Sequence, residues 1–151
     1  MASQSLYDRH QQEVMIARLS ALRPDSRRQW GTMDAAQMLA HCQVPLRVAL
    51  GELQLKRGLV GVLFGGFAKR KLLVHKNWDH GMPTAPEFKI AGERDFRKEH
   101  EALLELLRRF GRGGPSALTK EPHPFFGKLT TEQWDTLQWK HLDHHLRQFG
   151  V

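Results

Sequence analysis

The chain has one cysteine and one tyrosine among its 151 residues, and both scarcities exclude something. Cys42 alone cannot close an intramolecular disulfide, and it cannot build a structural zinc site from several thiolates. A reducing, cytoplasmic setting is the expectation. A single tyrosine leaves little aromatic surface of the kind that stacks on bases. No long apolar run is present either. The most apolar segment, Gly58 to Ala68 (GLVGVLFGGFA), is about half a membrane span and carries four glycines. It is expected to be buried or interfacial, and no membrane partner is expected. The polar opening MASQSLYDRHQQ lacks the apolar core of a secretory leader. Gly-x-Ser-x-Gly, P-loop and dinucleotide-binding patterns are missing, and GGFAK lacks the P-loop framework.

Charge of one sign dominates. The net charge is +7 and the pI about 10.0, which raises the question of nucleic acid. The basic residues nevertheless come in short scattered groups: Arg27-Arg28, Lys56-Arg57, Lys69-Arg70-Lys71, Arg108-Arg109. That pattern is a solvated basic surface, suited to attracting an anionic small molecule and not to a specific nucleic-acid complex. Hydrophobic residues make up 40% and charged residues 26%, so the chain can bury a core, and one domain over residues 1–151 is expected.

The periodicity is helical throughout, and no strand pattern survives. Leu6, Val14, Met15, Leu19 and Leu22 give a helix over about Ser5 to Leu22, stopped by Pro24. Thr32 is the expected N-cap of a second helix, with Asp34 in its first turn, running to about Glu52. Pro45 inside it cannot serve the carbonyl of His41, so a kink is expected there. Residues 55–75 read as a helix loosened by glycine. Another spans about Glu93 to Phe110, with Gly111 as its stop. Thr130, with Gln133 three residues on, opens the last helix through a capping box. An all-α antiparallel helix bundle follows.

Histidine is what the sequence has in concentration. Three of its nine fall within KHLDHHLRQF: His141, His144 and His145. On a helix that advances about 100° per residue, His145 lies about 40° from His141 and His144 about 60° to the other side. Trp134 and Leu137 extend that face, which therefore points inward, where unpaired imidazoles are costly. His141 and His145 form an H-x-x-x-H chelating pair. A third ligand from a facing helix is needed, and His41, among Met38, Leu39, Ala40 and Val44, is the best placed. The alternatives are a hydrogen-bonded core histidine at position 41 and a polar stripe on the last helix. Three ligands would leave a coordination position open, as catalytic sites do. His10, His75, His80, His100 and His123 read as surface or loop residues, with His80 and His123 in reserve as a fourth ligand. Cys42 reads as a small buried hydrophobe. Asp143 and Gln148 are weaker candidates for orienting imidazoles, and Asp143 is expected to face solvent.

Trp30 to His41 (WGTMDAAQMLAH) together with His141 to Gln148 (HLDHHLRQ) resembles the DinB/YfiT-like superfamily, closest to a branch defined only as a domain of unknown function. HPFFGKLTTEQW (His123 to Trp134) and PTAPEF (Pro83 to Phe88) are similar to that branch too, so the resemblance covers nearly the whole chain. It implies a four-helix bundle, commonly a homodimer. It implies a divalent metal, zinc or nickel, held by His41, His141 and His145. HLRQ stands in place of the usual H-R-G-Q ending, and His144 offers a second-ranked pair with His141. Characterised members include thiol-dependent transferases and isomerases. The main reading is a metal-dependent thiol S-transferase with a small thiol cosubstrate, or a hydrolase on the same metal, and the basic charge suits an anionic thiol or electrophile as the small-molecule substrate. The branch itself supplies no activity and no further catalytic residue. The rival from another class is a non-catalytic metal-binding or stress-associated interaction module.

Overall fold

The computed structural model describes residues 4–151. It is all-helical: α1 (Arg9–Ala21), α2 (Ala35–Ala49), α3 (Leu59–Val74), α4 (Phe96–Gly113) and α5 (Thr131–Gln148), with 3₁₀ turns at Pro86–Phe88 and Gly114–Ala117. Among the described residues the only β-type pairing is an isolated bridge between His123 and Gly127. No helix among them is long and apolar enough to cross a membrane.

The helix starts are set by side-chain caps. Asp8 accepts from the Gln11 amide at 2.9 Å and starts α1. The expected start at Ser5 is too early, because residues 5 and 6 are engaged elsewhere. Ser5 Oγ donates to Asp135 of α5, and the Leu6 amide donates to the same carboxylate at 2.7 Å. Leu6 is thus fully buried although it precedes the helix. Val14, expected inside, is 41% exposed, and Met15 and Leu19 carry the buried face alone. The cap of α2 is Asp34 and not Thr32. Asp34 and Gln37 exchange hydrogen bonds with each other's amides at 2.8 and 3.0 Å, a reciprocal box that Thr32 has no partner to make. The box expected at the start of α5 is present, with Thr130 and Gln133 joined at 3.0 and 3.2 Å.

Helix α2 is the centre of the molecule. Twelve of its fifteen residues are buried, and it packs most extensively on α4. The core cluster draws Met15 and Leu19 from α1, Met38, Leu39 and Leu46 from α2, Leu103, Leu107 and Phe110 from α4, and Trp134, Leu142 and Leu146 from α5. The helix is continuous through Pro45. Gly111 lies within α4 and does not stop it: a Cβ there would run into the Gln12 side chain and the Leu6 carbonyl, so glycine permits α1 to lie close. Gly114, at φ +58°, takes the terminating role.

Helix α3 stands apart from this core. Its buried residues are Gly61 and Gly65, against the backbone of Phe125. Its C-terminal end is tied down by Lys140 of α5. The Lys140 ammonium donates to the carbonyls of Leu72, Leu73 and His75 at 3.3, 2.6 and 2.9 Å. These are carbonyls that a helix end leaves without partners.

Candidate metal centre

The first wall of the site is α2. His41 is 5% exposed, and the Nδ1–H of its ring donates to the carbonyl of Phe88 at 2.7 Å. That carbonyl is fixed by the Pro86–Phe88 turn, in which the Phe88 amide donates to Ala85 at 2.9 Å. With Nδ1 protonated, the neutral ring directs the Nε2 lone pair inward.

The second wall is α5. His145 donates from Nδ1 to Gln148 Oε1 at 2.8 Å, and Gln148 Nε2 donates to the Trp30 carbonyl at 2.8 Å. The same tautomer results, with Nε2 free. Trp30 is followed by Gly31 at φ +81°, where a Cβ would collide with the Gln148 amide. Glycine is therefore required both by the backbone and by the close approach of Gln148. His141 Nε2 lies 3.0 Å from His41 Nε2. The ring centroids of the three histidines are 4.9, 4.7 and 4.7 Å apart, and one nitrogen from each lies within 4.8 Å of the others.

This geometry fits a divalent ion. Zinc–imidazole bonds of about 2.0–2.1 Å at angles of 90–109° put ligand nitrogens roughly 2.9–3.4 Å apart. The His41–His141 pair, at 3.0 Å, is in that range. Two oxygen acceptors behind the rings, Phe88 O and Gln148 Oε1, supply the outer hydrogen bonds by which metal-bound histidines are normally oriented.

The electrostatics favour neutral rings. Burial lowers the pKa of His41, against the Phe88 carbonyl, which raises it. Burial, and then the neighbouring His41, push His145 down to about 3. His141 is held well below its ordinary value by burial and then by His145, His41 and His144. Three imidazoles this close cannot all become imidazolium, and ligation needs the neutral ring.

His144 is buried but lies outside the three-nitrogen cluster. It sits instead in an aromatic surround, 5.6 Å from Trp30, 5.9 Å from Trp78 and 6.3 Å from His80, measured between ring centroids. Burial lowers its pKa to about 4, with Arg147 adding to the effect. His80 stacks on Trp30 at 3.7 Å and remains exposed. Trp78 also lies 6.0 Å from His141 and lines a cavity of about 210 Å³ with Leu72, His75 and Met82.

Three readings of single residues need correction. His123 is not a surface residue: it is 4% exposed, and its Nδ1 accepts from the amides of Phe125 and Phe126 at 3.0 and 3.1 Å. It shapes the loop before α5 and is not in the cluster. Asp143 does not face solvent. Its side chain is 15% exposed and pairs with Arg18 of α1 at 2.8 Å and Arg147 at 2.9 Å. A long arginine from the neighbouring helix reaches it, which single-helix geometry cannot foresee. His100 is half-buried, its Nε2 bonded to the Leu19 carbonyl at 2.9 Å. Cys42, as expected, is buried, and burial pushes its thiol pKa up, away from nucleophilic use.

The Phe88 carbonyl and the Trp30 carbonyl behind Gln148 were not identifiable as site groups from residue type. The signal for both lies in their neighbours, the proline pair around Ala85 and the Trp-Gly step before α2.

Fold and cluster together define an all-helical protein with a three-histidine constellation able to hold a metal ion. Residues 2–150 match the family described as a protein of unknown function (DUF1569), and the chain belongs to that family. No curated protein and no solved structure matches it.

Proposed function

We propose that the chain is a metal-dependent enzyme with the DinB/YfiT-like four-helix arrangement, in which His41, His141 and His145 bind one divalent transition metal through Nε2. The observation that carries this reading is the convergence of three histidine nitrogens within 4.8 Å while the outer nitrogens of two are tied to fixed oxygens. A polar stripe or a single core histidine would not need two separate orienting carbonyl groups aimed at the same point.

A zinc or nickel ion held by three imidazoles supplies Lewis-acid chemistry at its remaining positions, lowering the pKa of a bound thiol or water. The chain's own residues do the rest. Phe88 and Gln148 fix which nitrogen of His41 and His145 points inward. The indoles of Trp30 and Trp78, with His144, give one side of the site an aromatic surface. The basic surface attracts an anionic substrate. Thiol S-transfer is the reaction proposed, with a small anionic thiol as cosubstrate and hydrolysis as the alternative on the same metal. Homodimerisation and a cytoplasmic location belong to the same proposal.

The test is metal analysis of untagged protein after reconstitution with zinc or nickel. About one equivalent per chain is expected, together with thiolate-to-metal charge-transfer absorption when cobalt replaces zinc and a small thiol is added. Less than a tenth of an equivalent would overturn the metal reading. A full equivalent with no spectral response to thiols would overturn the transferase reading and leave a non-catalytic metal-binding module.

A further inference from the structure

Helix α3 presents its apolar residues to solvent. Leu59 is 75% exposed, Phe67 77%, Leu63 66%, and Val60 and Phe64 about as much. Using roughly 150–200 Å² for each fully exposed side chain, the patch is on the order of 600 Å² or more, at the upper end of what a monomer displays. The cause is local and lies in the sequence. Gly61 and Gly65 allow the helix to press its backbone against that of Phe125, where a Cβ at Gly65 would collide and one at Gly61 would be tight. The contact face thus consists of glycine, and every large side chain of the first three turns is turned outward or sideways.

The segment that carries the patch bears charge of one sign. Between Glu52 and Asp79 the chain has six basic residues and no acidic one. Lys69 donates to the Lys128 carbonyl, and Lys71 pairs with Asp79 at 3.0 Å. Lys56, Arg70 and Lys76 are exposed and take part in no ion pair among the described residues. Arg70 lies at the outward face itself, about 60° round the helix axis from Phe67. A second copy of this face would bring the same uncompensated charges together.

We infer that α3 is an interfacial helix that lies in the surface of an anionic lipid bilayer, its Leu and Phe side chains in the acyl boundary and its basic residues on the headgroups. A convex helix with protruding aliphatic and aromatic side chains needs no shaped partner at such a surface, and apolar burial plus charge attraction sets the affinity. The absence of a spanning segment does not bear on this, since a helix in the plane of the interface needs none. The Lys140 bonds tie the C-terminal end of α3, beyond the patch, to the helix that carries His141 and His145.

The experiment is vesicle flotation with purified full-length protein, on neutral phosphatidylcholine vesicles and on vesicles with 30 mole per cent phosphatidylglycerol as probe. The expected result is at least tenfold stronger partitioning onto the anionic vesicles, weakening as salt rises. Phe64→Ser with Phe67→Ser, and separately Lys56→Glu with Arg70→Glu and Lys76→Glu, should each reduce it about tenfold while far-UV circular dichroism stays unchanged, because all five side chains are exposed. No partitioning of the unmodified protein would overturn the inference. So would equal partitioning of the serine variant. A dimer in sedimentation equilibrium that ignores vesicles and dissociates on the two serine substitutions would assign the face to a second copy instead. Metal content read on the same variants should be unchanged, which separates this inference from the metal reading.

Discussion

Replacing Gln148 with leucine removes one hydrogen bond to a histidine and one to a carbonyl, at nearly constant volume. The two losses act on different observables. The Oε1 acceptor holds the His145 ring at 2.8 Å and keeps its proton on Nδ1. Without it the ring is free to rotate or to carry its proton on Nε2, and either outcome removes a ligand until it is reversed. Orienting partners of this kind change metal affinity about 10- to 100-fold, or roughly 1.4–2.7 kcal/mol. The Nε2 donor serves the Trp30 carbonyl at 2.8 Å, and leaving that carbonyl unpaired costs about 1–3 kcal/mol of stability with or without metal. The assay pairs zinc competition titration against a chromophoric chelator with urea unfolding of the metal-free protein. Gln148→Glu separates the two effects, because a carboxylate still accepts from His145 but cannot donate to Trp30. It should bind zinc nearly as the unmodified protein does and still lose stability. Wild-type zinc affinity in Gln148→Leu would refute the idea that this side chain orients a ligand.

The remaining expectations follow from the same geometry. His41→Ala, His141→Ala and His145→Ala should each strip most of the metal in elemental analysis, whereas His144→Ala, outside the cluster, should keep most of it. Removing metal with a chelator should lower the melting temperature, since an ion present at 100 times its dissociation constant stabilises the fold by about 2.7 kcal/mol. Gly31→Ala should cost about 1–2 kcal/mol for a left-handed backbone and weaken metal binding as well, because the new methyl displaces Gln148. His123, with its pKa lowered from 6.5 to about 4 by burial, makes the fold acid-sensitive. The unfolded chain takes up this proton first, so its contribution is present above about pH 6.5 and falls away as pH drops toward 4, by about 3 kcal/mol in all. Urea unfolding across that range, compared with His123→Asn, should show a shallower pH dependence in the variant, and identical slopes would refute the assignment.

The helices and one of the site's three edges are legible for a simple reason. Helical periodicity and capping boxes act between residues three and four apart, so Thr130–Gln133 and His141–His145 are visible in one window of sequence. The start of α2 is ambiguous in sequence because Thr32 and Asp34 both offer a local cap, and only the reciprocal bond to Gln37 decides between them. The misreadings at Asp143 and His123 have a different origin. Each depends on a group that local rules cannot position: Arg18, far away in the chain, and a loop folded back over Trp134. Helix α3 shows the limit most clearly. Its apolar composition leaves a buried and an interfacial position both open, and only the two glycines packed against Phe125 show that its large side chains lie outside.

The same distinction explains how the histidine centre is encoded. Ligand identity is local: one H-x-x-x-H on α5 and one histidine on α2. Ligand direction is local only at His145, which meets Gln148 Oε1 three residues on in α5; the Phe88 carbonyl that orients His41 and the Trp30 carbonyl that holds Gln148 come from segments outside both helices. Each of those segments carries a backbone constraint suited to holding a carbonyl still. Pro83 and Pro86 stiffen the first, and Gly31, at φ +81°, makes room in the second. A chain selected only to bury three histidines could satisfy them with any nearby acceptor. Fixing two of them in one tautomer, with the three ring centroids 4.7–4.9 Å apart, places three neutral nitrogens where they can accept a shared cation. That arrangement costs folding stability as pH falls below about 6.5, since each ring is held in its uncharged form. A bound metal adds stability where the nitrogens are free to ligate, so the apo and metal-loaded forms should differ in stability most at neutral pH and least in acid, where protons and metal compete for the same nitrogens.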